Sequence, residues 1–402
     1  MAARYWVGGT NTWDATAGTK WALTSGGAGG QAVPTASDDV FFDSASGANT
    51  VTVAATSVCL SLNCTGFTGT LTGSSGVTIS GNLTLGSGIT MSYSGTLSFN
   101  ATSAKTITSN GKSMACGLAF NGAAGSWALQ DNLTTTGAIT LTQGTLDINS
   151  KVCTVASLVG NNSNTRAIAF GTGSIVLTGS AATILNFATA TSFSYTGTPT
   201  ITANYSGSTG TRVIGFGNTA GGTAANALNV AISAGGDAVT LSTGSVFNSL
   251  SFSGYTGTVA NGARTIYGDL TLGTSMTLTG GANATTFGAM SGTKTITSNG
   301  VTMDFPLTFD GSGGTWQLAD TLTQGSGRTL TLTNGTLNAN GTSPAIGFFA
   351  LGAGTKTLTL GSGDWTCAGG WDAAINVSGL TVSAATGRIL MTSASGKTFA
   401  GG

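Results

Sequence analysis

The sequence predicts an all-β chain wound as a parallel β-solenoid, and three observations carry that expectation. A long motif occurs twice, as KTITSNGKSMACGLAFNGAAGSWALQDNLT from Lys105 and as KTITSNGVTMDFPLTFDGSGGTWQLADTLT from Lys294. Self-similarity over such a length marks a repeat architecture. Residues that cover the solvent face of helices are nearly missing: the 402 residues hold 13 Lys and Arg, no Glu and no His, and every one of the 13 acids is Asp. Apolar residues alternate with Thr or Ser in very short runs. Val77 and Ile79, Leu83 and Leu85, Ile89 to Tyr93, and Leu97 and Phe99 are punctuated by Gly76, Gly81, Gly86, Gly88 and Gly95.

The rhythm decides between β architectures. Strands of a β-sandwich are longer and recur every ~8–12 residues, whereas these begin every ~6–8, three to a turn of about 20 residues, as expected of solenoid coils. A tandem pair of sandwiches is the rival. A disordered Gly/Ser-rich chain is opposed by the low charge, a mean hydropathy of +0.26 and the regular placement of apolar residues. Stacked coils also explain the missing charge: each backbone is satisfied by the coils above and below, so the outside can carry ladders of Thr, Ser and Asn.

In chain order, residues 1–38 form a distinct segment with four large aromatics, Tyr5, Trp6, Trp13 and Trp21, followed by a Gly-rich loop and Pro34. Two compatible readings stand: a cap over the open end of the first β layer, or a segment that docks the protein onto a larger assembly. Residues 39–222 and 229–402 are then read as two copies of one super-repeat, the second finishing where the chain finishes. Met114, Leu118, Phe120, Gly122, Trp127, Leu129 and Asp131 correspond to Met303, Leu307, Phe309, Gly311, Trp316, Leu318 and Asp320. Trp127 and Trp316 are the markers of the repeat core; a sugar-stacking role is the alternative for an aromatic face.

Function classes are narrowed by what the chain carries. Net charge is formally zero with no basic cluster, so neither a nucleic-acid footprint nor a polybasic membrane anchor is present. The longest apolar runs, such as AIGFFAL at Ala345 to Leu351, are too short to span a bilayer, and the N-terminus lacks an export-type apolar run, which points to a chain made and folded in a cytoplasm. Five cysteines (Cys59, Cys64, Cys116, Cys153, Cys367) make an odd number, and the first two exchange with Phe247 and Phe252 between copies. They read as small apolar core residues rather than metal ligands or disulfides.

Without His the commonest general base and the usual triad are gone. A glycoside hydrolase needs only two carboxylates, and the candidates are Asp38, Asp39 and Asp43, then Asp304, Asp310 and Asp320, then Asp364 and Asp372. Most do not recur between copies. Asp131 and Asp320 do, in WALQD and WQLAD, and read as turn-closing residues of Asx type. DDVFFD from Asp38 lacks the dense oxygen loop of a calcium site, although its three carboxylates leave Ca²⁺ open. No catalytic, cofactor or metal residue is assigned, and the expected class is non-enzymatic.

The opening ARYWVGGTNTWD, with TKWALTSGGAGG and VPTASDDVFFD after it, resembles the start of large Gly/Thr/Ser-rich virion structural proteins of tailed bacteriophages. The GTLT, NLTL and KTITSNG ladders resemble the β-solenoid shafts of such proteins and of bacterial adhesins. That resemblance implies a fibre, spike or capsid-surface appendage in a virion assembled in the host cytoplasm, often a homotrimer. It further implies contacts to other virion proteins through the N-terminal segment, and to a host-surface glycan. A virion-associated polysaccharide depolymerase on a β-helix scaffold is the enzymatic alternative, and a bacterial surface adhesin the second.

Overall fold

A computed structural model describes residues 2–180, 183–393 and 398–400; the limits drawn above at residues 1 and 402 lie outside them. The chain is all-β with almost no helix and forms a parallel β-solenoid of about 16 turns. It divides into two compact units, residues 1–179 with 191–200, and residues 180–190 with 201–402.

From Thr50 to Thr108, in the first unit, three short strands make each coil, as the sequence rhythm requires; from Gly117 two of them run together into one long strand, which pairs with both Thr96–Phe99 and Ala104–Thr108. One coil runs through Thr50–Val53, Ser57–Cys59 and Leu62–Asn63, and the next through Thr70–Gly73, Val77–Ile79 and Leu83–Thr84. Each strand pairs in parallel with its counterpart one coil on: Val51 with Leu71, Cys59 with Ile79, Leu62 with Leu83. Because side chains alternate along a strand, the stacking turns the alternating pattern into inward columns of apolar residues and outward columns of Thr, Ser and Asn. Cys59, Ile79 and Phe99 are all fully buried in one such column. The other cysteines are buried as well, with thiol pKa values pushed up by desolvation, for Cys64, Cys116 and Cys153 to about 12. All five behave as core fillers, as the exchange of Cys59 and Cys64 with Phe247 and Phe252 suggests.

At its start this unit departs from parallel pairing. Ala3–Trp6 pairs in parallel with Asp39–Phe41 on one side and antiparallel with Trp21–Ala22 on the other, which brings Trp6 opposite Trp21. Trp6, Trp13 and Trp21 are buried around Phe42, the first two each edge-on to Trp21 at 5.1 and 5.6 Å between ring centroids. Asp38 fastens the segment: its carboxylate accepts from the Ala2 and Thr35 amides and the Thr35 hydroxyl, with Arg4 Nε at 3.8 Å.

The repeated motif builds the same corner in each unit. The strand Gly117–Leu129 breaks register on both sides of Asn121, and Leu307–Leu318 does so on both sides of Asp310. Beneath the first irregularity Trp127 packs on Phe99 and Phe120; beneath the second Trp316 packs on Phe287 and Phe309. Both indoles are buried, and both indole N–H groups lack a partner. Glycine is required at the bulge: a Cβ on Gly311 would lie 2.1 Å from the Ala289 carbonyl oxygen.

Asparagine turns other corners. Asn110, Asn149, Asn299, Asn340 and Asn376 all have φ between 50° and 61°, a left-handed backbone that Asn tolerates better than most residues. Each side-chain amide donates to a leucine carbonyl of the preceding coil, those of Leu85, Leu129, Leu272, Leu318 and Leu351 respectively. One residue thus supplies both the backbone turn and a bond between coils.

Candidate functional site

The outer columns of the first coils form a shallow groove of about 190 Å³ lined by Asp39, Phe41, Ser61, Leu62, Asn63, Asn82 and Thr84. Strand pairing sets its geometry. Tyr5 lies opposite Phe41, Phe41 opposite Asn63, and Asn63 opposite Thr84, so these four residues follow one another down a single outward column. The neighbouring column holds Asp39, Ser61 and Asn82, and its side chains are tied to the next coil. The Asp39 carboxylate accepts from the Ser61 amide at 3.2 Å, and the Asn82 side-chain oxygen from the Thr106 amide at 2.9 Å. The rings of Tyr5 and Phe41 stack at 4.7 Å with planes 14° apart, each partly exposed.

Chemically the groove offers an aromatic surface beside amide, hydroxyl and carboxylate groups held at the spacing of adjacent strands. Such a set can stack against and hydrogen-bond a polyhydroxylated chain. The four aromatic residues singled out at the N-terminus therefore separate: the three tryptophans are interior, and Tyr5 presents ring surface outward. Trp127 and Trp316 are 0% and 1% exposed and have no face to offer a sugar. The column from Asp39 to Asn82 eluded sequence reasoning, since it appears only when coils are placed in register. A trace of it existed: Asn229 and Asp269 in the second unit are bonded in the same way, accepting from the Ser249 and Thr295 amides.

The remaining candidate carboxylates are engaged one at a time. Asp43 caps the helical turn Ser44–Ser46 in a capping box. Asp304 pairs with Arg328 at 2.8 Å and Asp364 with Arg388 at 2.5 Å, each held below the usual carboxylate range first by its hydrogen bonds to that arginine. Asp310 accepts from Asn334 and Asp372 from the Ala374 amide. Asp131 and Asp320 do act on turns, but on those of the coil before rather than their own as an Asx turn would: Asp131 accepts from the Ser109 and Gly111 amides, Asp320 from those of Ser298 and Asn299. That places them next to the left-handed Asn110 and Asn299. Among the described residues no three His, Cys, Asp or Glu side chains converge on one point, and no helix is long and apolar enough to cross a membrane. No protein-family model, curated protein or solved structure matches this chain.

Proposed function

We propose that this chain is a non-enzymatic structural β-solenoid of a virion appendage, a fibre, spike or capsid-surface element, whose outer face adheres to a host-surface glycan. A β-solenoid is compatible with a fibre or adhesin-like part, because coils that satisfy one another's backbones make a stiff scaffold needing little surface charge. The observation that carries the adhesive reading is the groove: the partly exposed Tyr5–Phe41 stack continues into Asn63 and Thr84, beside Asp39, Ser61 and Asn82. A flat, nearly neutral surface of this kind recognises sugar hydroxyls and ring faces rather than charged polymers. The same neutral ladders suit lateral association, and closed symmetry limits it; a homotrimer is the state proposed.

The test is titration of the purified protein with surface polysaccharide from candidate host cells, by calorimetry or a glycan array. Wild type is expected to bind, and Phe41→Ala and Asn63→Ala to bind at least about tenfold more weakly, the loss of ~1–2 kcal/mol of stacking or hydrogen bonding, with circular dichroism and melting temperature retained. Equal binding by the variants would remove the groove from the account. Release of reducing ends from the polysaccharide would instead establish a depolymerase.

A further inference from the structure

One face of the first unit is more regular than the groove. The strands Asn11–Trp13, Thr50–Val53, Thr70–Gly73 and Thr90–Tyr93 form a separate parallel sheet, in which Thr12, Thr52, Thr72 and Ser92 follow one another in one column and Thr50, Thr70 and Thr90 in the next. Val51 and Leu71, which stand between the two columns, are buried, so the residues on either side of them point outward. The pairing sets a rectangular grid of hydroxyls. Neighbouring strands lie about 4.8 Å apart, and alternate residues of one strand about 6.6 Å.

On the first coil the hydroxyls are already engaged: Thr12 donates to the Asp14 carboxylate, and Thr10 to the Asn49 side-chain oxygen at 3.3 Å. On the next three coils those of Thr50, Thr52, Thr70, Thr72, Thr90 and Ser92 have no hydrogen-bond partner in the protein. These two columns hold no charged or aromatic residue, so they offer nothing to an ion and no ring for a sugar to stack on. What they can match is a flat lattice of donors and acceptors that repeats at the same two distances. The oxygen rows on a prism face of ice repeat at similar distances in both directions. A threonine column also runs through the second unit, from Thr315 to Thr336 and Thr357, but Gln317 and Asn338 stand beside it, and their longer side chains break the plane.

We propose that this threonine face binds ice. The hydroxyls take the places of waters in the surface layer of the crystal, and the threonine methyl groups sit between them. Strands fixed in register hold the grid before contact, so little order has to be acquired on binding. Protein adsorbed in this way lets ice advance only between bound molecules, which lowers the temperature of growth below that of melting. The face goes beyond the adhesive reading and does not depend on it: the groove is built on Asp39–Phe41, Leu62–Asn63 and Leu83–Thr84, which belong to a different sheet.

The test follows single ice crystals in solutions of the full chain in a nanolitre osmometer. Wild type is expected to open a gap between the melting and growth temperatures that widens with protein concentration, and to give faceted crystals. Thr70→Tyr places a bulky ring at the centre of the grid and should close the gap, with circular dichroism and melting temperature retained. Thr336→Tyr makes the same change in the column of the second unit and should leave the gap as in wild type. Should Thr70→Tyr not fold, Ser92→Tyr on the exposed last strand of the sheet takes its place. Wild type without a gap, or a gap that persists in the folded Thr70→Tyr or Ser92→Tyr variant, would overturn the proposal whatever the outcome of the polysaccharide titration.

Discussion

At the scale of the residue, the solenoid rests on a few side chains that each serve the backbone. Asn299 has a φ of 50° and donates its side-chain amide to the Leu272 carbonyl one coil earlier. Replacing it by Ala imposes a left-handed backbone on a residue that resists it and removes the bond, for a cost of about 2 kcal/mol. Gly at the same place keeps the backbone and loses only the bond, so Asn299→Gly should cost about 1 kcal/mol, half as much, in denaturant unfolding. Equal losses would mean that the backbone conformation contributes nothing. The signal for these corners was legible: SNG occurs at both Ser109 and Ser298, and Asn-Gly pairs favour positive φ. What could not be read was the partner, a leucine carbonyl more than a full coil away, because sequence spacing does not reveal which turn stacks on which. The buried cations were hidden for the same reason. Arg212, Arg264 and Lys356 look like surface residues until the register turns them inward.

At the scale of the element, the irregular strands around Trp127 and Trp316 set the corner of the coil. A Cβ on Gly311 would meet the backbone of Ala289, in the stretch between Thr285–Phe287 and Gly292–Thr297, two strands that both pair with Leu307–Leu318; at Gly327, by contrast, a Cβ meets nothing within 4 Å. Gly311→Ala should therefore cost on the order of 3 kcal/mol, and Gly327→Ala should lie within about 0.5 kcal/mol of wild type. Comparable unfolding midpoints for the two would contradict the packing described. The first coil carries its own pH dependence. Asp14 is held at about 2, chiefly by its hydrogen bond from Lys20 and then by those from the Thr12 hydroxyl and the Thr16 amide. A depressed carboxylate stabilises the fold above its ordinary pKa near 4 and loses that contribution as pH falls toward 2. Tryptophan fluorescence from the Trp6, Trp13 and Trp21 cluster should report loosening in that window, and Asp14→Asn should flatten the response. The three-strand rhythm of these coils was fully visible in the alternation from Val77 to Phe99. The antiparallel turn that places Trp21 against Trp6 was not, since a two-residue strand leaves no periodicity to read.

At the scale of the whole molecule, two features organise the account: coils in parallel register, and outer columns that replace charge with Thr, Ser and Asn. The fold class followed from composition and rhythm because helix formers were missing and the strands were too short for a sandwich. The groove did not follow, since its two columns join residues from Tyr5 to Thr84 that only register brings side by side. Function rests on that surface and on the virion role proposed for it. The most direct measurement is the copy number and position of this chain in purified intact particles, by quantitative mass spectrometry combined with electron cryo-microscopy. The account predicts a fixed number of copies per particle, a multiple of three, with solenoid density on the particle exterior. Absence from the particles, or a variable trace removed by washing, would contradict it.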